Sequence, residues 1–131
     1  FYIGLNGGSP SIEVSNNGTL EVFAAGDIAI YGNGINNKTN DPSRAVIYGT
    51  NTLTVPDMNT TVPFYGVIYT PNGNFTVAGN STVYGSIVAK KISFTGSAPV
   101  VHYDVNLRNK SFSGVDTPYA ISDWRESTNG S

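Results

Sequence analysis

Apolar residues in this chain come in short bursts separated by turn formers. Candidate strands fall at 12–14, 20–24, 27–31, 45–48, 52–55, 62–69, 75–77, 83–89, 92–94 and 100–107. Most are short and end at Asn-Gly, Gly-Asn, Pro-Asn-Gly or Gly-Ser. Those are strand and turn signals. In Phe75-Thr76-Val77 and Ile92-Ser93-Phe94 the apolar residues alternate with polar ones, as on one face of a strand. No longer stretch carries the apolar period of a helix. Asp41-Pro42-Ser43-Arg44 reads as part of a loop over about 33–44, with Asp41 and Pro42 placed to start one helical turn.

The bursts repeat. Phe64-Tyr65-Gly66-Val67-Ile68 returns as Val83-Tyr84-Gly85-Ser86-Ile87, and again as Val101-His102-Tyr103-Asp104-Val105. Ala29-Ile30-Tyr31-Gly32 and Val46-Ile47-Tyr48-Gly49 read as older copies at irregular spacing. A period of about 18–20 residues is too short for a propeller blade and suits one coil of a solenoid. The expected fold is all-β, a β-solenoid resembling a parallel β-helix, with capped termini. Stacking places Ile47, Ile68, Ile87 and Val105 in one apolar ladder, Phe75 near Ile92, and Val77 near Phe94. A single rung cannot bury its own apolar face, so stability comes from neighbours. Each buried Ile or Val contributes about 1.5–3 kcal/mol. An antiparallel sandwich or jelly roll also has many short strands, but it predicts no equivalence between positions one period apart. The 131 residues fit one domain: N-terminal rungs or cap over 1–43, regular repeats over 44–107, and a C-terminal cap over 108–131. Trp124 is the expected anchor of that cap, within the tail at 116–131.

Composition agrees. Val, Ile and Thr total 36, against 13 Leu, Ala and Met, and β-branched residues favour a pleated surface. Fifteen Asn and 15 Gly supply turns. The absence of cysteine excludes disulfides and thiolate metal sites. A net charge of -2 gives no bulk attraction for nucleic acid. No apolar run is long enough for a membrane helix, and no signal segment opens the chain, so no membrane contact by this domain is expected.

Candidate chemistry is sparse. His102 is the only histidine, and alternation puts it on the same strand face as Asp104, as a general-base pair would require. The alternative is an outward residue replacing the Tyr of earlier rungs. No Gly-x-Ser-x-Gly nucleophile motif occurs, and the nine acids are too scattered for paired-carboxylate glycoside chemistry. Asp27, Asp57 and Asp104 offer oxygen ligands for a structural calcium, but no calcium-loop motif accompanies them and no cofactor is expected. The alternating Thr of residues 50–54 reads as the polar side of a half-buried strand. Tyr31, Tyr48, Tyr65, Tyr69 and Tyr84 stand near glycines, and exposed Tyr can stack on sugars or form subunit contacts. With His102 and Asp104, the last four of these tyrosines form the candidate ligand or partner surface. Asn-x-Ser/Thr occurs at Asn17, Asn37, Asn59, Asn74, Asn80, Asn109 and Asn129. That is more than the about 3 expected by chance, and fits either a glycosylated secreted protein or a turn-rich solenoid.

The stretch from Phe64 through Asn80, then Val83-Tyr-Gly-Ser-Ile-Val-Ala and His102-Tyr103-Asp104, resembles the C-terminal β-solenoid region of PilX-like, minor-pilin-like bacterial pilus-assembly proteins. Asp123-Trp124-Arg125-Glu126 matches their Trp-Arg-Glu ending, so the resemblance covers about 44–126. Its motifs are moderately specific, because bactofilins and other solenoids share glycine-spaced apolar pairs. The resemblance implies an extracellular, cell-surface, non-enzymatic module, structural or adhesive. Its implied partners are other pilin-like or surface proteins or copies of itself. The hydrophobic pilin helix that tethers such modules does not occur in these residues. A polysaccharide-binding or polysaccharide-cleaving solenoid and a self-assembling filament subunit are the alternatives.

Overall fold

The structure, a computed structural model, describes residues 2–3, 12–26, 28–49 and 54–111. Its strands are β1 (Tyr2–Ile3), β2 (Ile12–Val14), β3 (Leu20–Ala24), β4 (Ala29–Gly32), β5 (Ile35–Asn37), β6 (Ala45–Gly49), β7 (Thr54–Thr60), β8 (Phe64–Ala78), β9 (Thr82–Thr95) and β10 (Val100–Tyr103). Each recorded pairing is parallel. The pairing closest in sequence joins Asn74 to Lys91, and the most distant joins Ile30 to Met58. A chain that keeps returning to run alongside itself in the same direction must coil. The result is a β-solenoid of about four turns. The sandwich, which requires antiparallel neighbours, is excluded.

Three stacks of strands build the coil. One runs β3, β6, residues 67–70 and residues 86–89. A second runs β1, β4, β7, residues 74–78 and residues 91–95. The third holds β2 and β5, and, higher up, residues 64–66, 82–85 and β10. Asn37 of β5 links its two parts by donating to the Tyr65 carbonyl.

β8 and β9 serve more than one stack, so they bend. A straight strand the length of β8 would extend about 50 Å. One bend falls at Gly66 and Gly85, which pair in register. A Cβ on Gly66 would meet the Phe64 ring and lie 2.7 Å from the Ala45 carbonyl oxygen. Gly85 adopts φ +147, and a Cβ there would collide with the Gly66 carbonyl. The other bend absorbs a slip in register. Thr70 pairs with Ala89 and Asn74 with Lys91, so β8 carries more chain than β9 between the same two levels. Pro71-Asn72-Gly73 takes up the difference.

The core runs up the coil axis. Val22, Ile47, Ile68 and Ile87 stack in register, and the Phe75–Ile92 and Val77–Phe94 pairs form as the repeat predicts. Ile28, Ile30, Ile35, Ile47, Phe64, Ile68, Phe75, Val77 and Val83 form one buried cluster.

Four local readings need correction. Val105 does not extend the isoleucine ladder, because β10 ends at Tyr103 and Val105 is exposed in a 3-10 turn, Val105–Asn109. The span at 33–44 is not all loop. It contains β5, whose Ile35 and Asn37 are both buried, and a 3-10 turn, Pro42–Arg44, capped by Asp41 as its residue order allows. The β4 copy lies in a different stack from β6. Finally, Tyr48 pairs with Tyr69, so Gly49 does not stand at the place of Gly66.

After β10 the described chain does not close the end of the coil. It turns at Asp104 and runs along the outside of the first stack. Leu107 is buried there against Val46, Tyr48 and Val67. Lys110 comes close enough to Asp41 to act on its charge. This segment is a strap on the wall. The proposed cap residues 116–131, Trp124 included, lie outside the described residues.

Candidate functional site

Parallel pairing in register places like residues over one another at the strand spacing of about 4.8 Å. On the third stack this makes a column of rings. Tyr65 and Tyr84 stack with centroids 4.7 Å apart at 10°, and Tyr84 and His102 at 4.7 Å and 11°. The repeat positions Tyr65, Tyr84 and His102 are therefore one assembled feature. Each stacked pair contributes about 0.5–1.5 kcal/mol beyond its burial. Both tyrosines are half-buried and His102 is exposed.

The stacking also limits what the column can bind. A ring whose faces are covered by its neighbours offers a ligand only its edge. Tyr84, stacked on both faces, thus presents only its edge and hydroxyl, while Tyr65 and His102 are each stacked on one face.

His102 and Asp104 do not act as a pair. The His102 ring lies on Tyr84, while Asp104 Oδ1 accepts the Asn106 N–H at 2.9 Å and caps the 3-10 turn. Strand alternation fails between them because the strand ends at Tyr103.

The other proposed surface tyrosines separate. Tyr48 is only 2% exposed, stacked on Phe23 at 4.6 Å and covered by the strap, so it is a wall residue rather than a ligand contact. Tyr69 is half-buried beside the same cluster. Tyr31 is half-buried on β4.

Below the ring column lies a polar network that motif reading missed. Asn37, 1% exposed, donates from Nδ2 to the carbonyls of Asp41 and Tyr65, both at 2.9 Å. Its Oδ1 accepts from the Thr39 N–H at 3.1 Å and the Thr39 hydroxyl at 2.6 Å. Asp41 Oδ1 accepts the Ser43 N–H and hydroxyl at 3.0 and 2.7 Å. The Ser43 hydroxyl does most to hold the Asp41 carboxyl below its ordinary value, against a smaller desolvation effect. The Ser43 N–H, Lys110 and Arg44 add to the lowering. The available signal was the i, i+2 spacing in Asn37-Lys38-Thr39 and Asp41-Pro42-Ser43, where short polar side chains bond backbone two positions on.

Asn37 is therefore unsuited to glycosylation, since the nitrogen that would carry a glycan is buried and bonded. Asn17, Asn74, Asn80 and Asn109 are exposed. Asn129 and the side chain of Asn59 lie outside the description. Of the calcium candidates, Asp27 and the Asp57 side chain also lie outside it, as do residues 50–53 of the threonine array. Among the described residues, no three His, Asp or Glu side chains gather as metal ligands.

A family model described as a domain of unknown function (DUF7305) matches residues 2–110. No curated protein and no solved structure matches the chain.

Proposed function

We propose that this chain, which belongs to the DUF7305 family, is a non-enzymatic structural or adhesive module of the cell surface, acting through a rigid outer wall. The observation that carries this reading is the ring column Tyr65–Tyr84–His102, held in register by successive coils. Such a column orders a broad surface without concentrating reactive groups at one point. The exposed Asn17, Asn74, Asn80 and Asn109 add an uncharged exterior. The resemblance to PilX-like pilus-assembly proteins supports an extracellular place beside pilin-like partners. A carbohydrate partner would meet ring edges and the outermost His102.

The test is labelling of intact cells that make the protein, with an antibody raised against the folded domain. Labelling without permeabilisation, and recovery of the protein with sheared pili, is the expected result. Labelling only after permeabilisation overturns the surface reading.

A further inference from the structure

One corner of the coil occurs in three copies, as Phe64-Tyr65-Gly66, Val83-Tyr84-Gly85 and Val101-His102-Tyr103. They lie over one another, with Gly85 paired to Gly66 and Tyr103 to Gly85. The last position is glycine in the two lower copies and tyrosine in the third.

At both glycines the chain turns from the third stack into the first, and at both the place of a Cβ is taken. On Gly66 it would lie 2.7 Å from the Ala45 carbonyl oxygen, and on Gly85 it would collide with the Gly66 carbonyl. Each time the obstacle includes backbone of the rung beneath, which cannot swing aside as a side chain can. The same turn made one rung higher would bring a Cβ onto the Gly85 carbonyl. Tyr103 has that Cβ, and β10 ends on it.

Beyond Tyr103 the sequence still has the pattern of a rung. Continued in register, Asp104 falls over Ser86, Val105 over Ile87, Asn106 over Val88 and Leu107 over Ala89. Strand alternation would then turn Val105 and Leu107 inward, onto Ile87 and Ala89, and leave Asp104 and Asn106 outside. Ile87 and Ala89 pack against the core and are only partly buried. Instead Val105 is 60% exposed, and Leu107 is buried on the outer wall.

We propose that Tyr103 is the stop of the coil. The segment Asp104–Leu107 has two seats, a further rung of the first stack and the outer wall, and the Cβ at position 103 closes the first. The Asp104 cap then fixes the path onto the wall. The height of the wall is thus set at one residue. A stop of this kind stands whether or not the protein works at the cell surface.

Tyr103→Gly and Tyr103→Ala in the full chain test it, the second removing the ring and keeping the Cβ. The chain has no cysteine, so introduced pairs report cleanly. Val46→Cys with Leu107→Cys reports the wall seat, and Ile87→Cys with Val105→Cys reports the rung seat. Under mild oxidation, the wild-type and Tyr103→Ala backgrounds should link the first pair and not the second. Tyr103→Gly should lose the wall link severalfold and gain the rung link. A Tyr103→Gly chain that keeps the wall link overturns the proposal. So does one that loses it without gaining the rung link, because glycine has then only loosened the strap. Tyr103→Ala behaving like Tyr103→Gly also overturns it, since the Cβ is still there. Loss of the β circular dichroism signal in Tyr103→Gly does the same, because a residue that only stops the coil is not needed by the coils below it.

Discussion

Gly85 sits so closely over the Gly66 carbonyl oxygen, one coil earlier in the chain, that no side chain fits between them. Gly85→Ala is expected to destabilise strongly. Holding a non-glycine residue at a rare backbone angle costs about 1–3 kcal/mol, and the two coils must also move apart. Gly26→Ala is the control, because a Cβ there meets nothing within 4 Å. Its melting temperature should match that of wild type, while that of Gly85→Ala falls by several degrees.

The core should show a gradient from the middle coils to the last. Ile68 is 1% exposed in a middle coil, and Ile68→Ala should cost about 2–5 kcal/mol, the usual range for emptying a core site. Ile92, in register over Phe75 but exposed, should cost far less on the same change. Equal losses in urea unfolding would show that the last coil is covered.

The repeat made the register readable in advance. Tyr-Gly recurring at Tyr65-Gly66 and Tyr84-Gly85 placed Ile87 over Ile68 and Ile92 over Phe75, and the pairings agree. β5 was hidden because Ile35-Asn36-Asn37 has turn-like composition, and Asn37 enters the interior only by satisfying its whole amide. The strap was illegible for another reason. Val105 continues the repeat in sequence, but Asp104 caps a 3-10 turn and takes the chain out of the stack. Of the site, the equivalence of Tyr65, Tyr84 and His102 was readable, but the fate of Tyr48 depended on the strap above it.

Asn37→Ala should be among the costlier polar substitutions. It removes both donors to the Tyr65 and Asp41 carbonyls and the acceptor of Thr39. Each buried group left unpaired costs about 1–3 kcal/mol. Hydrogen exchange should quicken around 37–45 first. Exchange unchanged there would mean that water replaces the amide.

Asp41 sets an acid limit. Its carboxyl is held below the ordinary value of 3.8, so its contribution is complete above that value and fades as pH falls through the lower folded value. Asp41→Asn should flatten that part of the stability curve below about pH 4. An unchanged acid slope would place the titrating group elsewhere.

Leu107→Ala should free the strap and leave the coil intact. Trypsin would then cut faster at Arg108 and Lys110, while circular dichroism keeps its β signal. Loss of the β signal would make the strap part of the core.

The strap also bears on how the chain reaches this state. Every recorded strand pairing joins one coil to the next, so each coil can form on the one before it while the rest of the chain is still being made. Leu107 on Val46 instead reaches back across several coils. Neighbour pairing alone lets the wall grow coil by coil from any point, whereas the strap is a long-range clasp that fastens the end of the described chain to the second coil.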